Sequence, residues 1–419
     1  MFSELRVDPQ RFKDDFDTLA EIGSTGDGGV NRPALSEAHL AARAWFRARA
    51  EAAGLDVHVD DAGNHSAVLQ SGLSGAPALL LGSHLDSVPN GGRFDGALGL
   101  VAALEVLRVI KETGYQLPVN LEAIDFTDEE GTLVGLMGSA ALAGKLAAQD
   151  LITPRGGREN LLNGLARAGL TEAGLLSAKR EPQLLAGYLE LHIEQGPRLL
   201  QAGKSIGVVT GIVGIASYWF TFVGRANHAG TTPMGERLDA AQGAAAFILA
   251  ARELVLAEFP GCTANVGQVN LLPGAFNIIP GAAVLGLECR AADLHTFEQL
   301  EQALLNRAMA EAGRFGLGFE AELLGKHPPA PLDPQVQQAI AEAAQELHLK
   351  VLRIPSGAGH DAQSLSSLCP AGMIFVPSVD GVSHSPHEFT EWQDCVNGAN
   401  VLLRTALKLV NQLVSSNRT

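Results

Sequence analysis

"APALLLGSHLDSVPNGGRFDGALGLVAALEVLRVIKETG", residues 76–114, reads as a buried strand, a glycine-rich loop and a helix in immediate succession. The run "PALLLGSH" is apolar until its last residues, as in a strand covered on both faces. "GALGLVAALEVLRVIKETG" is apolar almost throughout and reaches Gly114, a residue type that stops helices. Between the two, His84, Asp86 and Asp95 crowd into twelve positions. Side chains of that kind on one loop are solvated, paired or bound to something.

The flanks repeat the pattern. "LDVHVD" and "HSAVLQ" predict short strands before the stretch, and "VNLEAIDFT" and "GYLELHIEQG" predict two more after it. Strands interleaved with helices argue for an α/β sheet covered on both faces. Acidic and histidine residues gather where these strands end, the usual edge for a site in such sheets. From residue 207 the texture changes. "SIGVVTGIVGIASYWFTFVGRA" predicts extended segments, then "RLDAAQGAAAFILAARELVLAE" a long helix. "CTANVGQVNLLPGAFNIIPGAAVLGLECRAAD" adds two strands, "TFEQLEQALLNRAMAEAG" a helix, and "FEAELLG" a closing strand. That unit has about 120 residues, an ordinary domain size. "KHPPAPLDP" reads as its exit, after which "MIFVPS" and "DCVNGANVLLRTALKLVNQLV" return to strand and helix. The expected organisation is a domain made of residues 1–206 and 327–419, with residues 207–326 inserted into it.

Composition sets the class. The 419 residues are 46% hydrophobic, enough for two cores, and 18% charged. Thirty Lys and Arg against 46 Asp and Glu leave a formal charge of −16, with no block of cations. Nucleic-acid binding, which needs clustered cations, is therefore not expected. "MFSELRVDPQRFKDDFDTLAEIG" lacks the apolar centre of a signal peptide, and no uninterrupted apolar run reaches the ~18 residues of a membrane span. Cys262, Cys289, Cys369 and Cys395 stand far apart, which suits a reducing compartment. The expectation is a cytoplasmic protein with no nucleic-acid or membrane partner.

The chemistry lies in four clusters. In "SHLDS", residues 84 and 86 share one side of an extended segment, so Asp86 is the natural carboxylate to take the second ring N–H of a metal-bound His84. Asp95 sits in "GGRFDG", where glycines let the backbone bend; a helix N-cap is its plainer role. "DFTDEEG" sets Glu129 beside Glu130, and next to a cation two such carboxylates divide into ligand and general base. "LELHIEQG" places His192 in an apolar strand, and "GVSHSPHE" places His384 in a turn. His84, Asp95, Glu130, His192 and His384 together are three imidazoles and two carboxylates, a donor mix suited to Zn²⁺ and open to Mn²⁺, Co²⁺ or Ni²⁺. If Asp95 bridges, each of two ions has three protein contacts.

The motifs "HLDSVPNGGRFDGALG", "DEEG", "LHIEQGP", "NHAGTTPM", "PGAFNIIPG" and "GVSHSP" occur in that order from about residue 80 to 390. No one of them is specific, but the ordered set closely resembles the amidase/hydantoinase/carbamoylase family of dinuclear metal amidohydrolases, relatives of the carboxypeptidase-like metallopeptidases. The resemblance implies an α/β fold, with a mixed-sheet metal-binding catalytic domain covered by helices. It also implies an inserted α+β, ferredoxin-like lid through which a homodimer forms. It puts His84, Asp95, Glu130, His192 and His384 on two divalent ions, with Asp95 as the bridge. It makes Glu129 the general base, Asp86 the clamp on the ligands and His228 of "NHAGTTPM" the oxyanion donor. Gln195 would bind the ureido or amide end, Asn277 and Arg290 a substrate carboxylate, with Gly359 and His360 of "SGAGHDAQ" nearby. An Arg290–Asp293 pair is the structural alternative.

The implied activity is hydrolysis of linear C–N amide bonds in N-carbamoyl-L-amino acids or similar ureido acids, with release of ammonia and CO₂. An allantoate or ureide amidohydrolase is the first alternative, an aminoacylase or dipeptidase the second. A binding protein without turnover would have lost Glu129 or a ligand, and every one is in place.

Overall fold

The computed structural model describes residues 4–416 of the chain. It resolves into two compact units. One draws on the chain up to Thr210, on Leu332–Ile354 and on the stretch from Ala358; the other is Gly211–Pro331 with Pro355–Gly357.

The first unit is built on a mixed sheet. Its strands lie in the spatial order Asp56–Val59, His65–Leu69, Asn120–Phe126, Ala78–His84, Leu185–Ile193, Ala371–Val376 and Ile206–Ile212. The four from Asn120–Phe126 to Ala371–Val376 run parallel. The flanking pairings are antiparallel. A parallel centre needs cover on both faces, which is why Ala78–His84 is buried at every position. Helices Pro9–Glu21, Glu37–Ala52, Ala97–Glu112, Pro334–Glu346 and Trp392–Ser416 supply residues to the main core, among them Phe16, Phe46, Leu104, Ile340 and Leu403. Because the central strands are parallel, His84, Phe126, Ile193 and Val376 end at one edge of the sheet. The residues of interest follow those ends.

The second unit has the order strand, helix, two strands, helix, strand. Its sheet runs Gly318–His327, Gly214–Val223, Ala282–Ala291, Thr263–Leu272, all antiparallel. Fourth, first, third, second is the ferredoxin-like arrangement. Burial alternates along Gly214–Val223, so every second residue turns inward. Phe220, Phe222 and Leu285 meet Phe247 of the helix Ala240–Glu258 and Phe297 of the helix Leu294–Arg314 in one core. Ala240–Glu258 is long and apolar enough to cross a membrane by length and composition. Ala244, Phe247, Ala251 and Val255 on one of its faces pack into this core.

The extended segments expected in "SIGVVTGIVGIASYWFTFVGRA" are two strands that belong to different sheets. Ile206–Ile212 ends before Gly214–Val223 begins, and its Gly207 and Val208 pair with Phe375 and Ile374. The start of the run thus belongs to the first unit, and the division falls at Gly211, four residues beyond the expected 207.

Candidate metal centre

Asp95 lies in the loop before the helix Ala97–Glu112, but it does not cap that helix. The N-cap position is Gly96, without a side-chain hydrogen bond, so the Asp95 carboxylate is free for other work. Its Oδ1 lies 3.0 Å from His192 Nε2 and 3.8 Å from His84 Nε2. Its Oδ2 lies 3.4 Å from His384 Nε2, which is also 3.4 Å from Glu130 Oε2. Two groups of three donors, His84–Asp95–His192 and Asp95–Glu130–His384, therefore share one carboxylate, each with donor atoms within 4.8 Å of one another.

The second ring nitrogens are already committed. His84 Nδ1 is 3.0 Å from the Asp86 carbonyl and His192 Nδ1 is 2.9 Å from the Ile193 carbonyl. Each Nδ1 therefore carries the proton in the neutral ring and donates it, which turns the Nε2 lone pair toward Asp95. Asp86 meets the His84 ring through its backbone as well as its side chain. Its carboxylate stands 3.9 Å from His84 Nδ1 and accepts the backbone N–H groups of Glu129 and Glu130, both at 3.2 Å. The segment from His84 to Asp86 leaves the strand, so its carbonyl stands closer to the ring than its carboxylate. Asp86 holds the acidic turn by hydrogen bonds, with its carboxylate still at ion-pair distance from the imidazole.

That turn is locked from behind as well. Asp128, with φ +58°, accepts N–H groups of Leu133, Val134 and Gly135 at 3.0, 2.6 and 2.9 Å. Glu129 Oε2 reaches to 3.5 Å from His84 Nε2. Gly96, at φ +64°, passes under the His84 ring, where a Cβ would stand 2.4 Å from Cε1. Gln195, with φ +57°, donates from Nε2 to Asp95 Oδ2 at 2.8 Å and to Ser383 Oγ at 3.3 Å. His360 is buried, its ring centroid 4.5 Å from that of His192, with Gly359 immediately before it.

The profile of Peptidase family M20/M25/M40 matches residues 80–408. The chain belongs to that family. It is 38% identical to an N-carbamoyl-L-amino acid amidohydrolase of Geobacillus stearothermophilus over 93% of this chain and 96% of that protein. It is 33% identical to an allantoate amidohydrolase of Bacillus subtilis (strain 168), over 93% of this chain and 95% of the relative. A crystal structure of an amidase of the hydantoinase/carbamoylase family from Burkholderia multivorans superposes with a TM-score of 0.88 at 34% identity, covering 97% of this chain and 98% of that one.

M20 family members are metal-dependent, and the donors of this one fit a cation. Among the described residues, no Lys or Arg forms an ion pair with Asp95, Glu129 or Glu130, whose ion-pair partners are the histidines. Glu130 Oε1 is buried without a hydrogen-bond partner. Burial first, then surrounding carboxylates, push Glu129 and Glu130 well above the ordinary carboxylate range. Buried acids facing imidazole lone pairs are costly unless positive charge sits among them, and a divalent ion supplies it.

Sequence reasoning missed three supports of the centre. Glu388, buried, accepts the backbone N–H groups of Phe94 and Asp95 at 3.0 and 3.1 Å and the Ser383 hydroxyl at 2.7 Å. Ser383 is the second, 3.3 Å from Asp95 Oδ2. Glu190, on the same strand face as His192, accepts from Ser83 Oγ at 2.9 Å and Ala362 N at 3.1 Å. Its two-residue spacing from His192 was a readable signal.

The remaining candidates lie in the second unit. The short strand Asn227–His228 pairs with Ile278–Ile279, and Ala229 N donates to the Asn277 carbonyl at 3.0 Å, so His228 and Asn277 share one small ladder. His228 is exposed, and its Nδ1 accepts N–H groups of Gly230 and Thr231 at 3.0 and 3.2 Å. That hydrogen-bond pattern assigns the proton to Nε2, which points its donor outward. Arg290 is half-buried and tied to Glu288 Oε1 at 2.7–2.8 Å and to the Gly357 carbonyl at 2.5 Å. Its partner is Glu288, not Asp293, which caps the helix Leu294–Arg314 instead.

Proposed function

We propose that this protein is a metal-dependent amidohydrolase that hydrolyses the linear C–N amide bond of N-carbamoyl-L-amino acids or similar ureido acids. The observation that carries the proposal is the pair of three-donor groups sharing Asp95, with Glu129 beside them. His84, Asp95 and His192 would hold one divalent ion, and Asp95, Glu130 and His384 a second. Zn²⁺ suits this donor set best, ahead of Mn²⁺, Co²⁺ and Ni²⁺. When bound, such a pair supplies Lewis acidity and brings the pKa of a water toward neutral.

The chain's own groups do the rest. Glu129 takes a proton from the attacking water and gives it to the leaving nitrogen, so the carbamoyl group departs as carbamate and breaks down to ammonia and CO₂. Its place beside both donor groups, 3.5 Å from His84 Nε2, suits a carboxylate that carries the proton between the two steps. Gln195 orients the ureido end, since its Oε1 is a buried acceptor with no donor. His228 Nε2–H donates to the oxyanion. Arg290, squared by Glu288, presents its fork to the substrate carboxylate with Asn277 alongside. Gly359 and His360 line the substrate side of His192.

The proposal includes a homodimer through the second unit. On the helix Ala240–Glu258, Leu249 and Leu256 are 69% and 64% exposed, two turns apart on one face. Thr263–Leu272 is an edge strand, with Val269, Leu271 and Leu272 exposed. An open edge beside bare leucines is a surface that proteins cover. Four free cysteines, three of them buried, support the cytoplasm as its compartment.

The named relatives keep an allantoate or ureide substrate as the second reading. Ammonia release from a panel of N-carbamoyl-L-amino acids, allantoate and N-acyl amino acids separates the readings. Carbamoyl amino acids are expected to turn over. Chelation should abolish that turnover and a divalent ion restore it. Cleavage of N-acyl amino acids alone, or full activity in exhaustively metal-free protein, would overturn the proposal.

A further inference from the structure

We infer that Arg155 reads an anionic group on the substrate's side chain, which narrows the proposed substrates to ureido acids bearing a second carboxylate. The inference rests on the ureido-acid reading above and adds a residue that the family motifs do not contain.

Arg155 is held in place by its neighbours. It sits between the helices Ala148–Ile152 and Arg158–Ala168, after Pro154, which is buried. Gly156 N donates to the Leu133 carbonyl at 2.7 Å, and a Cβ on Gly156 would lie 2.0 Å from the Thr132 carbonyl oxygen. Only glycine allows that approach, so the backbone on either side of Arg155 is docked on the loop that follows the acidic turn. The side chain continues across the same loop. A Cβ on Gly131 would lie 2.7 Å from Arg155 Nη1 and 3.3 Å from Cζ, and one on Gly135 3.9 Å from both atoms. The guanidinium therefore covers Gly131, the residue after Glu130, and lies within about 8 Å of the Glu130 Cα. A carboxylate at the end of two or three carbons, with one hydrogen bond of about 2.9 Å added, spans a distance of that order.

The guanidinium has no work inside the chain. Among the described residues it makes no ion pair and no hydrogen bond, and it is exposed. Arg158, three residues on, shows what a structural arginine here looks like: it donates to the Leu151 carbonyl at 2.7 Å and pairs with Glu172 at 2.8 Å. The surroundings make a free cation informative. The chain carries a formal charge of −16. On so acidic a chain an exposed, unpaired guanidinium is a place where a second substrate carboxylate meets attraction rather than repulsion. A planar fork matches a carboxylate with two parallel hydrogen bonds.

The test compares acids with their isosteric amides. With metal-loaded enzyme, kcat/KM is measured on N-carbamoyl-L-glutamate against N-carbamoyl-L-glutamine, and on the aspartate against the asparagine derivative. The wild type should favour the acids by about tenfold, the effect of one partly exposed charge-assisted contact. Arg155→Gln should erase that ratio by raising KM for the acids while leaving the amides unchanged. Arg155→Lys should keep part of it, and Arg155→Glu should invert it. An acid-to-amide ratio that survives Arg155→Gln overturns the inference, as does an equal loss on acids and amides. If the metal-loaded wild type cleaves no ureido acid at all, the underlying reading falls and this inference falls with it. If it cleaves them without an acid preference, this inference falls alone.

Discussion

Glu129 and Glu130 are neighbours in sequence to which the proposal gives different tasks, and the backbone beneath them shows how their side chains are set apart. Asp86 accepts both of their N–H groups at 3.2 Å, which fixes the two Cα atoms and leaves each side chain to its own direction. Glu130 Oε2 goes to His384 and Glu129 Oε2 to His84. Exchange of either carboxylate for an amide leaves the clamp intact, so the two variants isolate the side chains. Glu129→Gln should retain metal and substrate affinity and lose kcat by roughly 10²–10⁴-fold, the usual worth of a general base. Glu130→Gln should lose metal occupancy, read by elemental analysis after gel filtration. If the two phenotypes come out exchanged, the assignment of the adjacent carboxylates is backwards.

At the scale of elements, the centre depends on how a strand, a loop and a helix meet at Gly96. A methyl group there would enter the His84 ring, and φ +64° already disfavours any side chain. Gly96→Ala should therefore lower both stability and metal occupancy. Gly261→Ala is the control, because that glycine has φ +85° with nothing within 4 Å. It should lose only the backbone term, about 1–2 kcal/mol, and leave metal occupancy untouched. Equal metal loss in both would remove Gly96 from the account. The same comparison shows where the sequence was legible. Apolar runs ending in His or Asp/Glu marked the strands Ala78–His84, Asn120–Phe126 and Leu185–Ile193, and with them the donors now found together. Glu388 was not legible, since it reaches the Asp95 N–H from 293 residues away and no local pattern encodes that. The start of the second unit was blurred because Ile206–Ile212 and Gly214–Val223 follow one another with a single residue between them, and their different partners divide them. The short helices from Met137 to Ser177 gave no expectation, being too brief for a strong period, and they close a small core of their own around Leu161, Leu165 and Leu175.

At the scale of the whole molecule, the proposal assigns work to Glu129 in one compact unit and to His228 in the other. Whether a site takes both from one chain is then a question about the dimer. Exposed Leu249 and Leu256 are the first handle on it: Leu249→Glu with Leu256→Glu should shift the protein to monomer in analytical ultracentrifugation, because two charges cannot be buried without partners. Complementation is the second handle. Glu129→Gln and His228→Ala should each be nearly inactive alone. If the second unit of one chain serves the site of its partner, the heterodimer has one site with Glu129 and His228 both intact. A random equal mixture is about half heterodimer with one good site in two, so about a quarter of normal activity should return. If each chain uses its own His228, no heterodimer holds a complete site and activity stays at background. Co-expression with two different affinity tags, and assay of the doubly purified species, decides between them. Background activity in confirmed heterodimers would rule out sharing.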